Sequence, residues 1–335
     1  STQLALLEHA LPSATPAADA ALETALLDLS ARLCGLPLRV HLCAEVEAAA
    51  GLHAEWEPRP QRESGLELGS ERERGAWRKR STQPLSTQAQ ESLAEIELNA
   101  ALGAVVASSH PAALHSAACQ ALAAGFRVLK VKVGVAPVAQ ELAAIQHLCA
   151  RLPVGARLRL DANRAWSLPT ARKLLDELLP VAHLIESLEE PCAEATDAEL
   201  RVLQARTPIA LAFDESLPAR GWPLDPEQLP LRRLVLKPGI IGGLRPTLAL
   251  AQRARAMGRE VVITSLIESA AGLWSSAQLA AATGSPLAHG LATGAWLAAD
   301  LGAAPVIERG YIRLPERPGS GFSPAQRCTD EPASS

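Results

Sequence analysis

Short apolar runs alternate along most of the chain with stretches in which apolar residues recur every three or four positions. The runs predict strands at 95–103, 126–134, 157–163, 182–189, 209–214, 232–238, 260–265 and 288–291. The helical periodicity between them predicts helices at 111–124, 137–150, 168–179, 195–206, 244–257 and 270–282. Because parallel strands need crossover connections that are usually helical, eight strands alternating with helices favour a closed βα barrel.

An open, doubly wound sheet is the alternative arrangement of the same elements. Such a sheet usually carries a glycine-rich GxGxxG turn after its first strand. The first predicted strand here ends in LNAALGA, which lacks that motif. The barrel is therefore the preferred fold.

The two ends of the chain and one internal stretch depart from this alternation. An amphipathic helix is predicted at 17–33, closed by Gly35. The stretch 44–92 has mixed charge and no sustained period, which is typical of a solvated linker. We therefore divide the chain into four parts. They are a remnant of an α+β capping domain (1–43), a polar insertion or linker (44–94), the catalytic barrel (95–315) and a partly disordered tail (316–335).

The amino-acid composition excludes several kinds of partner and site. The chain has 335 residues, 48% hydrophobic and 20% charged, with a formal net charge of −4. This content predicts a globular protein, and the near balance of charge argues against nucleic acid. The longest apolar run falls short of the roughly 18 residues that cross a membrane. The six cysteines form no CxxC pair and the histidines no HxH or HxxxH pair, which disfavours a zinc site.

Charged residues lie at or near the carboxyl ends of five predicted strands. They are Lys130, Lys132, Asp161, Glu189, Asp214 and Lys237. From Lys132 onward the gaps are 29, 28, 25 and 23 residues, about one βα unit each, which puts the groups at one height on neighbouring strands. A strand buried on both faces is normally apolar, so a charged level in register indicates a site at the barrel mouth.

This set of side chains suits acid–base chemistry at a metal-bound carboxylate. Three carboxylates make an all-oxygen site of the kind Mg²⁺ prefers. A lysine can move a proton, and a second lysine can stabilise the charge that develops. Since an unperturbed lysine has a pKa near 10.4, a lysine base needs a neighbouring cation. Lys130 beside Lys132 would supply it.

Other polar or aromatic residues near these strand ends have simpler interpretations. Glu186 and Glu190 are interpreted as surface or supporting carboxylates, and Glu215 as an orienting residue. The run GIIGG at 239–243 is interpreted first as a turn into a helix and second as a phosphate or carboxylate cradle. Both Trp166 and Trp296 are assigned to packing rather than to substrate stacking.

Seven motifs occur in the order and spacing of a known family. They are KVKVG (130–134), LRLDANRAW (158–166), LEEPC (188–192), AFDES (212–216), VLKPG (235–239), ITSLIES (263–269) and HGLATGAWL (289–297). Together they resemble the enolase superfamily. Within it, they are similar to the o-succinylbenzoate synthase family of the muconate-lactonizing-like subgroup. The resemblance covers roughly 95–320 and the helix at 17–38.

The resemblance implies an α/β fold of the modified TIM-barrel type, (β/α)₇β, with a truncated N-terminal capping domain. It implies one Mg²⁺, replaceable by Mn²⁺, held by Asp161, Glu189 and Asp214. The implied reaction is syn elimination of water from 2-succinyl-6-hydroxy-2,4-cyclohexadiene-1-carboxylate in menaquinone or phylloquinone biosynthesis. Lys132 would take the proton and Lys237 would stabilise the enediolate.

The resemblance also bears on substrate contacts and surroundings. Substrate contact is assigned to Lys130, Arg159, Asn163, Thr264 and Ser265. The expected location is the cytoplasm of a bacterium or the plastid of a photosynthetic eukaryote. Expected partners are a small carboxylate substrate and, in a fusion, other enzymes of the pathway, with no nucleic acid and no membrane.

The chain departs from the family pattern at its N-terminal side. The antiparallel strands that usually begin the capping domain are absent, and 44–92 intrudes before the first barrel strand. Either the strands lie upstream in a longer polypeptide or the insertion partly substitutes for them. The alternatives to the synthase are an N-acylamino-acid racemase or dipeptide epimerase of the same superfamily, and a non-catalytic barrel module of a larger fusion. A Schiff-base aldolase would leave the three carboxylates unexplained.

Overall fold

The computed structural model of the chain describes residues 15–54, 94–104, 111–221 and 224–325. Most of the predicted linker (residues 55–93) and the end of the predicted tail (residues 326–335) lie outside these ranges. Among the described helices, none combines the length and the apolar character needed to cross a membrane.

Parallel strands form the centre of the molecule. In chain order the strands are β1 (Glu95–Glu97), β2 (Asn99–Ala104), β3 (Val128–Lys132), β4 (Arg157–Asp161), β5 (Ile185–Glu189), β6 (Ala210–Phe213), β7 (Arg233–Leu236), β8 (Glu260–Ile263), β9 (Ile307–Glu308) and β10 (Tyr311–Arg313). Strands β2 to β8 make one seven-stranded parallel sheet in chain order. A small antiparallel sheet has the order β1-β10-β9.

A short eighth segment closes this sheet into a barrel. His289 forms a parallel bridge with Leu98, just before β2, and Gly290 forms one with Thr264, just after β8. The backbone N–H of Gly290 donates to the carbonyl of Ile263 at 2.9 Å. The last predicted strand therefore joins the two edges, and the predicted modified TIM barrel is confirmed.

Helices cover the outside of the barrel. They are α1 (Pro16–Cys34), α2 (Leu38–Ala54), α3 (Pro111–Ala123), α4 (Val138–Cys149), α5 (Leu168–Leu178), α6 (Asp197–Ala205), α7 (Pro238–Ile241), α8 (Leu244–Ala256) and α9 (Ala270–Ala282). Local sequence fixes several ends, for example the capping box of Thr196 and Glu199 at the start of α6. All six helices predicted between strands are confirmed.

Alternation along β3 and β4 places apolar residues on the outside of the barrel and charged residues on the inside. Outward-facing Leu129, Leu158 and Leu160 are fully buried beneath the helices. Inward-facing Arg159 and Arg233 are only 1% exposed, and the carboxylate of Glu186 pairs with both of them. The lower interior of the barrel is thus a charged layer beneath the mouth.

Two predicted strands differ from the observed elements. The run 95–103 is split at Leu98, because β1 turns away to pair with β10, with Ile96 opposite Ile312. The run 182–189 begins as a 3₁₀ helix, Leu179–Leu184, before β5. In both cases a contact with another part of the chain, or a proline-containing turn, overrides the local apolar pattern.

The structure also changes the description of the flanking segments. Helix α2 runs across the expected boundary at 43–44, with Cys43 fully buried and Val46 8% exposed, so the predicted linker begins as helix. The first part of the predicted tail is packed rather than loose. Ser320 is 2% exposed, and its backbone N–H donates to Asp28 on α1 at 2.5 Å.

The GIIGG run joins β7 to α8 and contacts the N-terminal region. It forms the short helix α7 and a turn through Gly242 and Gly243, as its first interpretation predicted. At the start of α8, the backbone N–H of Leu244 donates a hydrogen bond to the carboxylate of Glu23 on α1. The second interpretation, a carboxylate cradle, is thus satisfied by Glu23.

Candidate active site

A cavity of about 650 Å³ opens at the carboxyl ends of the barrel strands. Six charged residues predicted from the sequence line it: Lys130, Lys132, Asp161, Glu189, Asp214 and Lys237. Strand register sets their common level, because Lys132 lies opposite Asp161, and Asp161 lies opposite Glu189. The structure therefore brings all six side chains to one site.

Two of the three lysines are paired with the carboxylates. Nζ of Lys130 lies 2.9 Å from Oδ2 of Asp161 and also contacts Glu189. Nζ of Lys237 lies 2.7 Å from each carboxylate oxygen of Asp214. The three acidic residues are 8%, 2% and 7% exposed in chain order. Three buried carboxylates thus face two ammonium groups.

Lys132 stands apart from the other two lysines. It lines the cavity and is exposed. Within the part of the chain that the structure describes, its amine has no ion pair or hydrogen bond, whereas Lys130 and Lys237 have theirs. Lys132 is consequently the lysine whose amine is available to a molecule in the cavity.

Burial and charge shift the pKa values in this cluster. Burial by itself would lower the pKa of Lys130, but the carboxylates of Glu189 and Asp161 outweigh it and raise this pKa. Burial raises the pKa of Asp214 to about 6 against the lowering effect of Lys237, and the charge of Glu189 adds to the rise. Lys130 is therefore held as a cation. The pKa of Asp214 stays raised because the charge of Lys237 does not fully offset the effect of burial.

The chemistry of these donors fits a hard divalent cation. The three carboxylates are buried, carry excess negative charge and supply only oxygen, as Mg²⁺ prefers. In the structure these carboxylates contact Lys130 and Lys237. In the described ranges no three Asp, Glu, His or Cys side chains are grouped closely enough to hold a metal ion. Metal binding therefore requires the carboxylates to turn from the lysines towards a shared centre.

Arg159 lies at the floor of the cavity and is fixed from below. Its Nη1 donates to Oδ1 of Asn99 at 3.2 Å, and its Nη2 donates to Oε1 of Glu186 at 2.8 Å. Glu186 also accepts a hydrogen bond from Arg233 at 2.7 Å. Glu186, interpreted from the sequence as a surface or supporting carboxylate, is a partly buried supporting group shared by two arginines.

The remaining predicted contacts line the cavity but are engaged with neighbouring residues. The side chain of Asn163 donates to Glu215 at 3.3 Å. The backbone N–H of Thr264 donates to Leu236, and that of Ser265 donates to Gly290. The substrate contact expected at Thr264 and Ser265 is thus restricted to atoms other than these N–H groups.

Sequence reasoning missed an apolar rim at the mouth. Trp296 is 59% exposed and Ile267 is 66% exposed, and both line the cavity. The assignment of Trp296 to packing was wrong, whereas Trp166, 5% exposed, is packed as predicted. Exposure of a large apolar side chain next to a cavity was the missing information, and the sequence does not carry it.

Left-handed backbone conformations were also not predicted. Asn163, Arg164 and Glu190 have φ values of 41°, 64° and 44°. They lie in the loops that follow β4 and β5, whose last residues are Asp161 and Glu189. Such conformations in residues other than glycine occur where the surrounding structure imposes them, often at functional sites.

Solved structures similar to this chain include two enzymes of known fold. The L-Ala-D/L-Glu epimerase from Bacillus subtilis has a TM-score of 0.69 and 23% identity, covering 92% of this chain and 73% of that one. The muconate lactonizing enzyme from Pseudomonas fluorescens has a TM-score of 0.70 and 22% identity, covering 95% and 73%. At these identities the similarity concerns the fold.

Curated relatives are similar at higher identity over a shorter stretch. The o-succinylbenzoate synthases of Escherichia coli and Shigella sonnei are 37% identical over 158 residues, 47% of this chain. The matched segment spans 48% of those proteins, about half of their length. Residues 113–327, nearly two thirds of the chain, match the family model described as enolase C-terminal domain-like. The chain belongs to the enolase C-terminal domain-like family.

Proposed function

We propose that the chain is a Mg²⁺-dependent o-succinylbenzoate synthase. It would remove water from 2-succinyl-6-hydroxy-2,4-cyclohexadiene-1-carboxylate and release the aromatic product. Family membership and the 37% identity to synthases support the choice of reaction. The observation that carries the proposal is the amine of Lys132, exposed at a cavity whose other two lysines are paired with carboxylates.

In the proposed reaction, Lys132 acts first as base and then as acid. Its neutral amine takes the proton from the carbon that bears the ring carboxylate. The resulting ammonium then gives a proton to the departing hydroxyl group, which leaves as water while the ring becomes aromatic. Lys130, held as a cation by Glu189 and Asp161, lies two residues away on the same face of β3.

Lys237 has a different task in this proposal. In the barrel it follows β7, four strands from β3, so it reaches the cavity from the opposite side. Its ammonium group, which lines the cavity, would stabilise the negative charge that spreads onto the substrate carboxylate after proton removal.

Asp161, Glu189 and Asp214 would hold Mg²⁺, with Mn²⁺ as a substitute. The ion supplies Lewis-acid polarisation and a template for the carboxylate. Arg159, fixed below the cavity, would orient the substrate from the floor, and Asn163 would support the loop that follows β4.

A turnover assay tests the proposed function. The purified chain with Mg²⁺ is expected to form o-succinylbenzoate, and EDTA is expected to abolish it. Lys132→Ala should remove turnover while its melting temperature stays unchanged, because the side chain is exposed and unpaired. Full activity in Lys132→Ala would overturn the lysine-base mechanism. A wild-type chain that folds but shows no turnover would favour a non-catalytic barrel module.

A racemase or epimerase is the second candidate, since Lys132 and Lys237 approach the cavity from opposite sides. Such a reaction needs each lysine to take up a proton in one direction. The 37% identity over 158 residues to o-succinylbenzoate synthases favours the synthase over this candidate. Deuterium exchange at the α-carbon of N-acyl amino acids, without elimination, would favour the racemase.

A further inference from the structure

Asp214 is held differently from the other two carboxylates of the cluster. Asp161 and Glu189 lie within strands and face each other in the sheet register. Asp214 follows the last residue of β6 and is outside the sheet. Something other than strand pairing must therefore fix its backbone, and the structure shows which side chain does so.

That side chain belongs to Glu190, which is 2% exposed. Its Oε1 accepts the backbone N–H of Asp214 at 2.7 Å, the backbone N–H of Ser216 at 2.9 Å and the Ser216 hydroxyl at 2.7 Å. One oxygen thus fixes the whole turn that presents Asp214.

The backbone of Glu190 is itself held in an unfavourable conformation. Its φ of 44° is left-handed, and two hydrogen bonds lock it: Glu190 N–H to the carbonyl of Ala212 at 2.9 Å, and Arg164 N–H to the carbonyl of Glu190 at 2.7 Å. Because of this turn, the adjacent residues Glu189 and Glu190 line different cavities. Glu189 lines the large cavity, while Glu190 lines a second cavity of about 180 Å³.

We propose that Glu190 is a positioning residue that sets the location of Asp214 for metal binding. It acts through the backbone of the turn, from the side away from the large cavity. The inference rests on the proposed metal site. It adds a residue that sequence reasoning left as a surface or supporting carboxylate, and it assigns a purpose to the left-handed turn after β5.

Direct titration with Mn²⁺ by electron paramagnetic resonance, without substrate, tests the inference in the full chain. Glu190→Ala is expected to weaken Mn²⁺ affinity about tenfold or more, as loss of a group that orients a ligand does. Glu190→Gln is expected to stay within about threefold of wild type, because an amide oxygen can accept the same three bonds. Glu190→Asp serves if Glu190→Ala fails to fold, and its shorter side chain should also lose affinity.

Glu141 provides a matched control. It is fully buried, and its Oε1 accepts the backbone N–H groups of Val135 and Ala136 at 2.8 and 3.0 Å in another strand-to-helix loop. Glu141→Ala should lower the melting temperature and keep Mn²⁺ affinity within about twofold of wild type.

The possible results separate the two proposals. Unchanged affinity in Glu190→Ala or Glu190→Asp would overturn the positioning role alone and leave the proposed function intact. Equal losses of Mn²⁺ affinity in Glu190→Gln and Glu190→Ala would also overturn the positioning role. Keeping an oxygen that can accept the three hydrogen bonds would then make no difference. A wild-type chain that binds no Mn²⁺ would overturn both the metal site and this inference.

Discussion

Glu23 and Gly243 lie in direct contact although they are far apart in the sequence. A Cβ built on Gly243 would lie 2.0 Å from Oε2 of Glu23, so only glycine leaves room for the carboxylate. That carboxylate accepts the N–H of Leu244 and, at 2.9 Å, the Nε of Arg245. The first helix thus holds the start of α8, seven residues after Lys237.

Replacement of either residue should weaken the same contact. Glu23→Ala is expected to lower the free energy of unfolding by about 2 kcal/mol, because buried donors lose their acceptor. Gly243→Ala should destabilise by a similar amount, since the new methyl group displaces the carboxylate and φ is 153°. Urea denaturation of both variants and the double variant measures this. The loss in free energy of unfolding of the double variant should be smaller than the sum of the two single losses. Full additivity would contradict a shared contact.

Replacement of Glu186 should destabilise the charged layer in the barrel. This carboxylate is shared by Arg159 and Arg233, both almost fully buried. Glu186→Gln is expected to cost about 3 kcal/mol, because removing one partner leaves buried charge uncompensated. Glu260→Gln is the control, since Glu260 also pairs with Arg233 but its side chain is 31% exposed. Equal losses for the two variants in urea denaturation would argue against the shared-carboxylate account.

The barrel and the level of its charged residues could be predicted because both signals are local. A side-chain period of two and a repeat of one βα unit are read directly from neighbouring positions. That reading placed Lys132, Asp161 and Glu189 at one height, as the strand register has them. It could not tell Lys130 from Lys132, because both point into the barrel and only the three-dimensional distances show which one meets the carboxylates.

Contacts between distant parts of the chain were beyond the sequence pattern. Glu23 and Leu244 are 221 residues apart, and no periodicity relates them. Pairing of Ile96 with Ile312 split a single apolar run into two strands for the same reason. Glu190 was read as a surface or supporting residue because its partners depend on a left-handed turn that no motif announces.

The two tryptophans near the site should respond to mutation in opposite ways. Trp296 is 59% exposed at the cavity rim, so Trp296→Ala should leave the melting temperature nearly unchanged. If the proposed substrate packs on this rim, its KM should rise about fivefold, which corresponds to roughly 1 kcal/mol of contact. Trp166→Ala, at a position 5% exposed, should instead lose about 3–5 kcal/mol of stability. An unchanged KM in Trp296→Ala would exclude Trp296 from substrate contact.

His289 should make the stability of the barrel depend on pH. Its imidazole is 1% exposed, and burial together with the charge of Arg159 lowers its pKa to about 3. The unfolded chain keeps a histidine pKa near 6.5, so below that pH the unfolded state binds a proton that the folded state excludes. Stability should therefore fall as pH decreases from 6.5 towards 3. For this one group the loss is about 2 kcal/mol at pH 5.

Asparagine at position 289 isolates this effect from other titrating groups. In the folded chain Nδ1 of His289 accepts the N–H of Ile263 at 3.0 Å, and the Oδ1 of asparagine can take the same bond without titrating. Urea denaturation of wild type and His289→Asn at pH 7 and pH 5 measures the difference. The variant should lose about 2 kcal/mol less than wild type over this interval, because the unfolded chain no longer gains a proton at residue 289. Equal losses in the two proteins would mean that His289 is not excluded from protonation in the closed barrel.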